Sequence, residues 1–154
     1  MRYFEDIELG EVWDLGECPV DANEIMAFAA HYDPMPCHCE AVAAKESYFG
    51  SLTASSWHVN AMAMGLLTNS FKAQGLVSLG SPGINRVRWF VPVRPGDVLS
   101  GRSTVMAIRA SNSRPMGIVT LRTEIFNQVR SKVVEMEGVG MYGRRPIKAV
   151  NEVS

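Results

Sequence analysis

The segment from residue 54 to residue 71 constrains the fold more than any other part of the chain. It reads ASSWHVNAMAMGLLTNSF, and Ala, Met, Trp, Val and Leu recur on almost every face of the helix that it would form. A helix that is apolar nearly all round is a buried helix. In a chain of 154 residues, burial on most sides requires a sheet curled around that helix. The segment is also too short and too polar to span a bilayer, so no membrane association is expected.

Four long stretches after this helix are typical of β-strands, because they are rich in β-branched residues and bounded by turn signals. Their short links favour antiparallel pairing. The sequence therefore predicts one α+β domain over residues 1–154, an antiparallel β-sheet wrapped around a long central α-helix. Edge strands of such a sheet invite pairing with a second copy, so we expect a homodimer or a larger oligomer built from dimers. The predicted strands are 11–16, 83–93, 98–110, 117–129 and 132–142, and two shorter helices are predicted at 22–31 and 40–47.

The composition, 47% hydrophobic and 20% charged, is that of an ordinary globular protein. The N-terminus lacks the pattern of a signal peptide, so a cytoplasmic location is expected. Residues 1–50 carry eleven acids against two bases, and residues 51–154 carry thirteen bases against five acids. The bases are spread along predicted strands with few aromatics between them, which argues against a nucleic-acid surface and fits contacts to a phosphorylated small molecule. The alternative is that the two halves simply face each other electrostatically.

The cysteines are expected to be free thiols, because three cannot all pair and the expected compartment is reducing. Cys37, His38 and Cys39 resemble a metal cluster at first sight. Zinc sites space their ligands by two or more residues, and the chain has no CxxC or HxxxH pattern. The sequence therefore predicts no metal site.

Two titratable side chains, Asp33 and His38, lie five residues apart on a predicted loop with two prolines (YDPMPCH, 32–38). Pro34 and Pro36 have φ fixed at about −65°, and each pushes the preceding residue towards extended backbone. The resulting stiffness reduces the entropy lost in holding two proton-transfer groups at a set separation. On one continuous helix they would lie about 140° apart, so the break at the prolines is what would let them converge. The alternative is an Asp that caps the next helix and a His satisfied in the core.

Ser55 and Ser56 stand where the central helix begins. The first turn of a helix has unpaired backbone N–H groups, which are suited to a developing oxyanion. Ordinary N-capping by a serine hydroxyl explains the same residues, and capping and oxyanion binding can coexist at one terminus.

Four motifs, in order, resemble the MaoC-like acyl dehydratase family, which has the hotdog fold and includes the (R)-specific enoyl-CoA hydratases. The similarity runs from about Tyr3 to Arg145. The motifs are D-P-x-P-x-H, F-G-x-L-x-A-S-x-W-H, S-P-G-I-x-x-x-R-W and P-V-R-P-G-D. The resemblance implies addition of water across the 2,3 double bond of an enoyl-CoA, or the reverse, with coenzyme A as part of the substrate and no further cofactor.

The resemblance also implies roles for single residues. The Asp and His of the family's motif fall on Asp33 and His38, which would share one water and supply hydroxide to C3 and a proton to C2. A backbone N–H at the start of the central helix would hold the thioester oxygen, and the family's glycine there aligns with Ser56. Met35 stands in place of the motif's Asn, and Met cannot replace an amide hydrogen bond, so substrate positioning should differ. Candidates for phosphate contacts are Arg86, Arg88 and Arg114, although each also fits a solvated surface.

Two other functions remain open from the sequence. A hotdog thioesterase would use a carboxylate to activate water at the thioester carbonyl and would not need His38. A non-catalytic acyl-CoA-binding protein would need neither Asp33 nor His38, so the presence of both favours the hydratase.

Overall fold

Five strands form one antiparallel sheet in the order β1-β3-β4-β5-β2 in a computed structural model that describes residues 1–146. A short 3₁₀ helix (Phe4–Asp6) precedes the sheet. The α+β architecture predicted from the sequence is observed. The elements are β1 (Val12–Pro19), α1 (Ala22–Tyr32), α2 (Pro36–Cys39), α3 (Ala41–Lys45), α4 (Ser56–Gln74), β2 (Ser78–Trp89), β3 (Val98–Ala110), β4 (Met116–Phe126) and β5 (Lys132–Gly143).

Helix α4 is the long central helix, and both of its ends have clear chemical causes. The Ser55 hydroxyl accepts the Trp57 N–H and caps the N-terminus. Gly75 ends the helix with φ of 65°, a left-handed conformation that costs glycine little. These two residues therefore determine where the helix begins and ends. The residues that the helix buries are His58, Val59, Ala63, Leu66, Leu67 and Ser70.

The expectation that α4 is buried on most sides is wrong for the single chain. The face opposite the core leaves Trp57 63% exposed and Met64 42% exposed. Strand β2 is likewise exposed along nearly its whole length. The all-round apolar pattern therefore reflects a core face plus a second apolar face that the sheet of the same chain does not cover.

Short helices between β1 and α4 differ in part from the prediction. Helix α1 matches it, with Asp21 capping its start by accepting the Glu24 N–H. The proline segment, predicted as a loop, contains the one-turn helix α2, with Pro36 at its first position, where the missing N–H costs nothing. His38 therefore stands on a helical turn rather than on a loop. No helix within residues 1–146 is long and apolar enough to cross a membrane.

Candidate functional site

Asp33 and His38 converge at the junction of α1 and α2. Asp33 is the C-cap of α1 and donates its N–H to the Ala29 carbonyl. The extended Met35 that follows lets the chain turn into α2, which carries His38. His38 Nε2 and Asp33 Oδ2 lie 3.8 Å apart, and the two side chains are 13% and 28% exposed. The proline break thus brings together two groups that a continuous helix would have separated.

The His38 ring is oriented by the irregular segment that precedes α4. Its Nδ1 lies 2.7 Å from the Thr53 carbonyl oxygen, which can only accept a hydrogen bond. Nδ1 therefore carries the proton in the neutral ring, and Nε2 presents a lone pair towards Asp33. The Thr53 N–H donates to the Cys37 carbonyl at 3.2 Å and locks the two segments together. Thr53 was missed by the sequence analysis, because a backbone contact leaves no signature in residue type.

Asp33 is held from the other side by the cap of α4. The fully buried Ser55 hydroxyl donates to Asp33 Oδ2 at 2.6 Å. The same hydroxyl accepts the Trp57 N–H at 3.2 Å. Ser55, which the sequence analysis assigned to oxyanion or substrate binding, therefore contacts Asp33 directly.

The gap between Asp33 and His38 is too long for a direct hydrogen bond. Both facing atoms, a carboxylate oxygen and an imidazole nitrogen with a lone pair, are acceptors. A water between them would donate one hydrogen to each and turn its own lone pair outward. The arrangement can therefore hold and activate a nucleophilic water.

Ser56 and His38 both line a cleft of about 250 Å³. As the first helical residue of α4, Ser56 has an N–H without an intrahelical acceptor. Phe49, Val59 and Trp89 form apolar parts of the cleft wall. An acceptor such as a carbonyl oxygen, seated in the cleft, could thus take a hydrogen bond from the N-terminus of α4, with the imidazole lining the same cleft.

Three of the residues discussed from the sequence contribute less to the site. Met35 is 55% exposed and contributes through its backbone: its carbonyl accepts the N–H groups of His38 and Cys39, and its N–H donates to the Asp33 carbonyl. Cys37 and Cys39 are free thiols. No three His, Cys, Asp or Glu side chains within residues 1–146 are arranged to hold a metal ion.

A second, apolar cavity of about 180 Å³ lies further along α4, between that helix and the sheet. Its helix wall includes Met64 and Leu67, and its sheet wall includes Gly138 and Gly140 of β5. Alternate residues of a strand face one side, so both glycines face the same side. The Tyr142 ring covers Gly140, whereas Gly138 leaves a gap in the layer of side chains. A Cβ added at Gly138 would meet nothing within 4 Å.

Comparison with known proteins agrees with this architecture. The family model of the MaoC like domain matches residues 7–125. The MaoC-like dehydratase from Rhodospirillum rubrum superposes with a TM-score of 0.83 at 37% identity, over 96% of this chain and 100% of that one. The (R)-hydratase from A. caviae involved in PHA biosynthesis superposes with a TM-score of 0.67 at 25% identity, over 92% and 99% of the two chains.

Among curated proteins, the uncharacterized protein YdeM of Bacillus subtilis is 25% identical over 134 residues, which are 86% of this chain and 93% of that protein. The hotdog fold implied by the sequence motifs is confirmed by the structural matches. The chain belongs to the MaoC-like dehydratase family.

Proposed function

We propose that the protein is an acyl-CoA hydratase/dehydratase that interconverts a 2-enoyl-CoA and a 3-hydroxyacyl-CoA. The observation that carries the proposal is the pair of acceptors, Asp33 Oδ2 and His38 Nε2, 3.8 Å apart beside the N-terminus of α4. Membership of the dehydratase family supports a hydro-lyase reaction.

In the proposed reaction, a water donates one hydrogen bond to Asp33 and one to His38. Its oxygen adds to C3 of the enoyl thioester while one of its protons passes to the pair, and the pair delivers a proton to C2. The Ser56 N–H accommodates the negative charge that builds on the thioester oxygen. The water is added completely across the double bond, so no redox cofactor and no metal are needed.

The acyl group would run along the exposed face of α4 into the apolar cavity. Ser56 and Met64 are eight residues apart, which is about 12 Å of helix. Ala61, small and exposed, lies between them and leaves a path open. An extended chain advances about 1.2 Å per bond, so a chain of about ten carbons would reach the cavity. We therefore propose medium-length enoyl-CoA thioesters as substrates.

One assay separates this proposal from the two alternatives. Purified protein is mixed with 2-enoyl-CoA substrates of increasing chain length, and the enoyl-thioester absorbance and free thiol are followed together. Loss of absorbance without thiol release supports hydration, whereas thiol release supports a thioesterase. No change in either signal across the panel contradicts both enzymatic functions and leaves a binding protein.

Substitution of the two central residues tests the mechanism. Asp33→Asn and His38→Ala should each lower the hydration rate about 10²-fold or more, the usual effect of losing a general acid–base group. A thioesterase that relies on the carboxylate alone would lose activity in the first variant only. A rate near that of the wild type in either variant removes that residue from the mechanism.

We further propose that the active form is a homodimer. The apolar side chains of Trp57, Met64, Ile84 and Trp89 lie exposed along α4 and the edge strand β2. A second copy seated on this face would cover the route from the catalytic cleft to the apolar cavity and exclude water from it.

A further inference from the structure

We infer that Ser55 is a positioning residue that fixes the Asp33 carboxylate through a hydrogen bond and ties it to the N-terminus of α4. The inference rests on the proposed hydratase function for its effect on turnover. Ser55 does not meet the substrate in this role, because it acts through Asp33.

The hydrogen bonds of the Ser55 hydroxyl determine this role. A serine hydroxyl has one proton to donate, and here it goes to Asp33 Oδ2 at 2.6 Å. The oxygen also accepts the Trp57 N–H at 3.2 Å. With no exposed surface and its only proton engaged, Ser55 cannot donate to a thioester oxygen. The Ser55 hydroxyl therefore serves the Asp33 carboxylate and the helix cap, and an oxyanion contact at this terminus would fall to backbone N–H groups.

Asp33 needs such a contact, because its own backbone does not fix its carboxylate. The torsion that turns an aspartate carboxylate is soft and has no sharp rotamer wells. Among residues 1–146, Ser55 is the one residue whose side chain donates a hydrogen bond to this carboxylate. The bond selects Oδ2, the oxygen that also faces His38 Nε2. Without it, the carboxylate would turn freely and the water site would be populated for only part of the time.

The same hydroxyl couples two parts of the site. It caps the helix whose first N–H groups would receive the thioester oxygen, and it holds the carboxylate that would activate water. The distance between the attacking water and the polarised carbonyl is thereby set by one side chain. An error of about 1 Å in such an arrangement can cost about 10²-fold in rate.

Glycine separates the two tasks of Ser55, because it is tolerated at N-caps nearly as well as serine but donates no hydrogen bond. Ser55→Gly should lower kcat about 10²-fold while KM stays close to that of the wild type, since substrate contacts are unchanged. Ser55→Thr keeps the hydroxyl and should recover most of the lost kcat. Ser70→Ala is the matched control. It removes another buried hydroxyl of α4, one that donates to the Asp14 carbonyl of β1, and should leave kcat unchanged.

A double-mutant cycle with Asp33→Ala identifies the partner. If Ser55 acts through Asp33, Ser55→Gly should cause no further loss of kcat in the Asp33→Ala background. A full second loss in that background, or a kcat for Ser55→Gly equal to that of Ser70→Ala, overturns the inference.

Urea unfolding of the wild type, Ser55→Gly, Asp33→Ala and the double variant distinguishes failure of this inference from failure of the proposed function. If the wild type hydrates no enoyl thioester, the proposed function fails, but the pair can still be tested. Ser55→Gly should then destabilise the wild type more than it destabilises Asp33→Ala. Equal destabilisation in both backgrounds shows that the two side chains are not coupled and overturns the inference.

Discussion

At the scale of single residues, the tautomer of the His38 imidazole depends on one backbone carbonyl. The Thr53 carbonyl lies 2.7 Å from Nδ1, whereas the Thr53 hydroxyl lies 3.3 Å away. The carbonyl is the shorter contact and cannot donate, so it fixes the tautomer on its own. The Thr53 hydroxyl should therefore matter much less to turnover than the Thr53 carbonyl, although both lie near His38 Nδ1.

Thr53→Val tests this reasoning, because valine keeps the shape and the backbone carbonyl but removes the hydroxyl. We expect stability to fall by about 1 kcal/mol for the lost hydrogen bond, while kcat stays within about tenfold of the wild type, well above His38→Ala, which loses about 10²-fold. Urea unfolding and steady-state hydration rates measure the two effects. A loss as large as that of His38→Ala would assign the orienting role to the hydroxyl.

Gly138 controls the depth of the apolar cavity. Because a Cβ there meets nothing within 4 Å, Gly138→Ala should fold without strain and place a methyl group in space that an acyl chain would otherwise occupy. We expect kcat/KM for a ten-carbon enoyl-CoA to fall by about 10–10²-fold, since a few methylene contacts are lost, with crotonyl-CoA turned over as before. Equal effects on both substrates would place the acyl chain elsewhere.

Residue-level chemistry was predictable where it depended on residue type and not where it depended on backbone contacts. The convergence of Asp33 and His38 followed from the two prolines between them. The contact of Thr53 with His38 joins residues 15 apart through a carbonyl, which every residue possesses. Ser55 was recognised as a cap, but its second partner, 22 positions away, needed the three-dimensional structure.

At the scale of elements, a row of ion pairs connects side chains of four neighbouring strands of the sheet. Glu124 of β4 pairs with Arg102 of β3 at 2.9 Å and with Lys132 of β5 at 2.7 Å. Lys132 also pairs with Glu135 at 2.7 Å, and Glu135 with Arg86 of β2 at 3.1 Å. Glu124 and Glu135 are opposite each other in the β4–β5 register, so the shared lysine offsets the repulsion of two like charges.

The acid dependence of stability should reflect this row. Burial opposes ionisation of Glu124, but hydrogen bonds from Lys132 and Arg102 outweigh it, so the pKa of this carboxyl lies below its ordinary value. The bond from Lys132 likewise lowers the pKa of Glu135. Groups with a depressed folded-state pKa stabilise fully above the unfolded value of about 4.3, and that contribution is lost as the pH falls through the lower folded-state pKa.

Glu124→Gln should therefore destabilise the protein by about 1.5–3 kcal/mol near neutral pH, the range for hydrogen bonds to charged groups. The difference from the wild type should shrink as the pH falls below the unfolded-state pKa of about 4.3 and through the lower folded-state pKa, because the wild-type carboxyl then protonates. Glu137→Gln is the control, because Glu137 is exposed and its partner is the neutral Asn85. A difference for Glu124→Gln that does not change with pH would show that the charge contributes nothing.

The elements themselves were largely predictable, since helix and strand periods differ and each has its own boundary signals. One exception is α2, a single turn whose four residues are too few to show a period. The other is β2, which was predicted at 83–93 and is observed at Ser78–Trp89. The burial of α4 was the larger error. A hydrophobic pattern identifies apolar faces but does not say whether the same chain or a second one covers them.

At the scale of the whole molecule, exposed apolar side chains of α4 and β2 adjoin one another: Trp57 contacts Trp89, and Met64 and Ile84 line the same cavity. Trp57 and Met64 of α4 and Ile84 and Trp89 of β2 are each more than 40% exposed. β2 is also an edge strand of the sheet, paired only with β5. A free edge next to an apolar face is a surface that natural proteins protect or use for association. The homodimer proposed above would use both features at once.

Ile84→Lys places a charge in the middle of this face, and Ile108→Lys places one at a similarly exposed position on β3, away from β2. We expect sedimentation equilibrium to show a dimer for the wild type and Ile108→Lys and a monomer for Ile84→Lys, because a buried unpaired charge costs several kcal/mol at an interface. Hydration activity should fall with the dimer, since the route from Ser56 to the cavity would then be open to water. A monomeric wild type would contradict the proposed assembly, and an Ile84→Lys variant that stays dimeric would assign the interface to another surface.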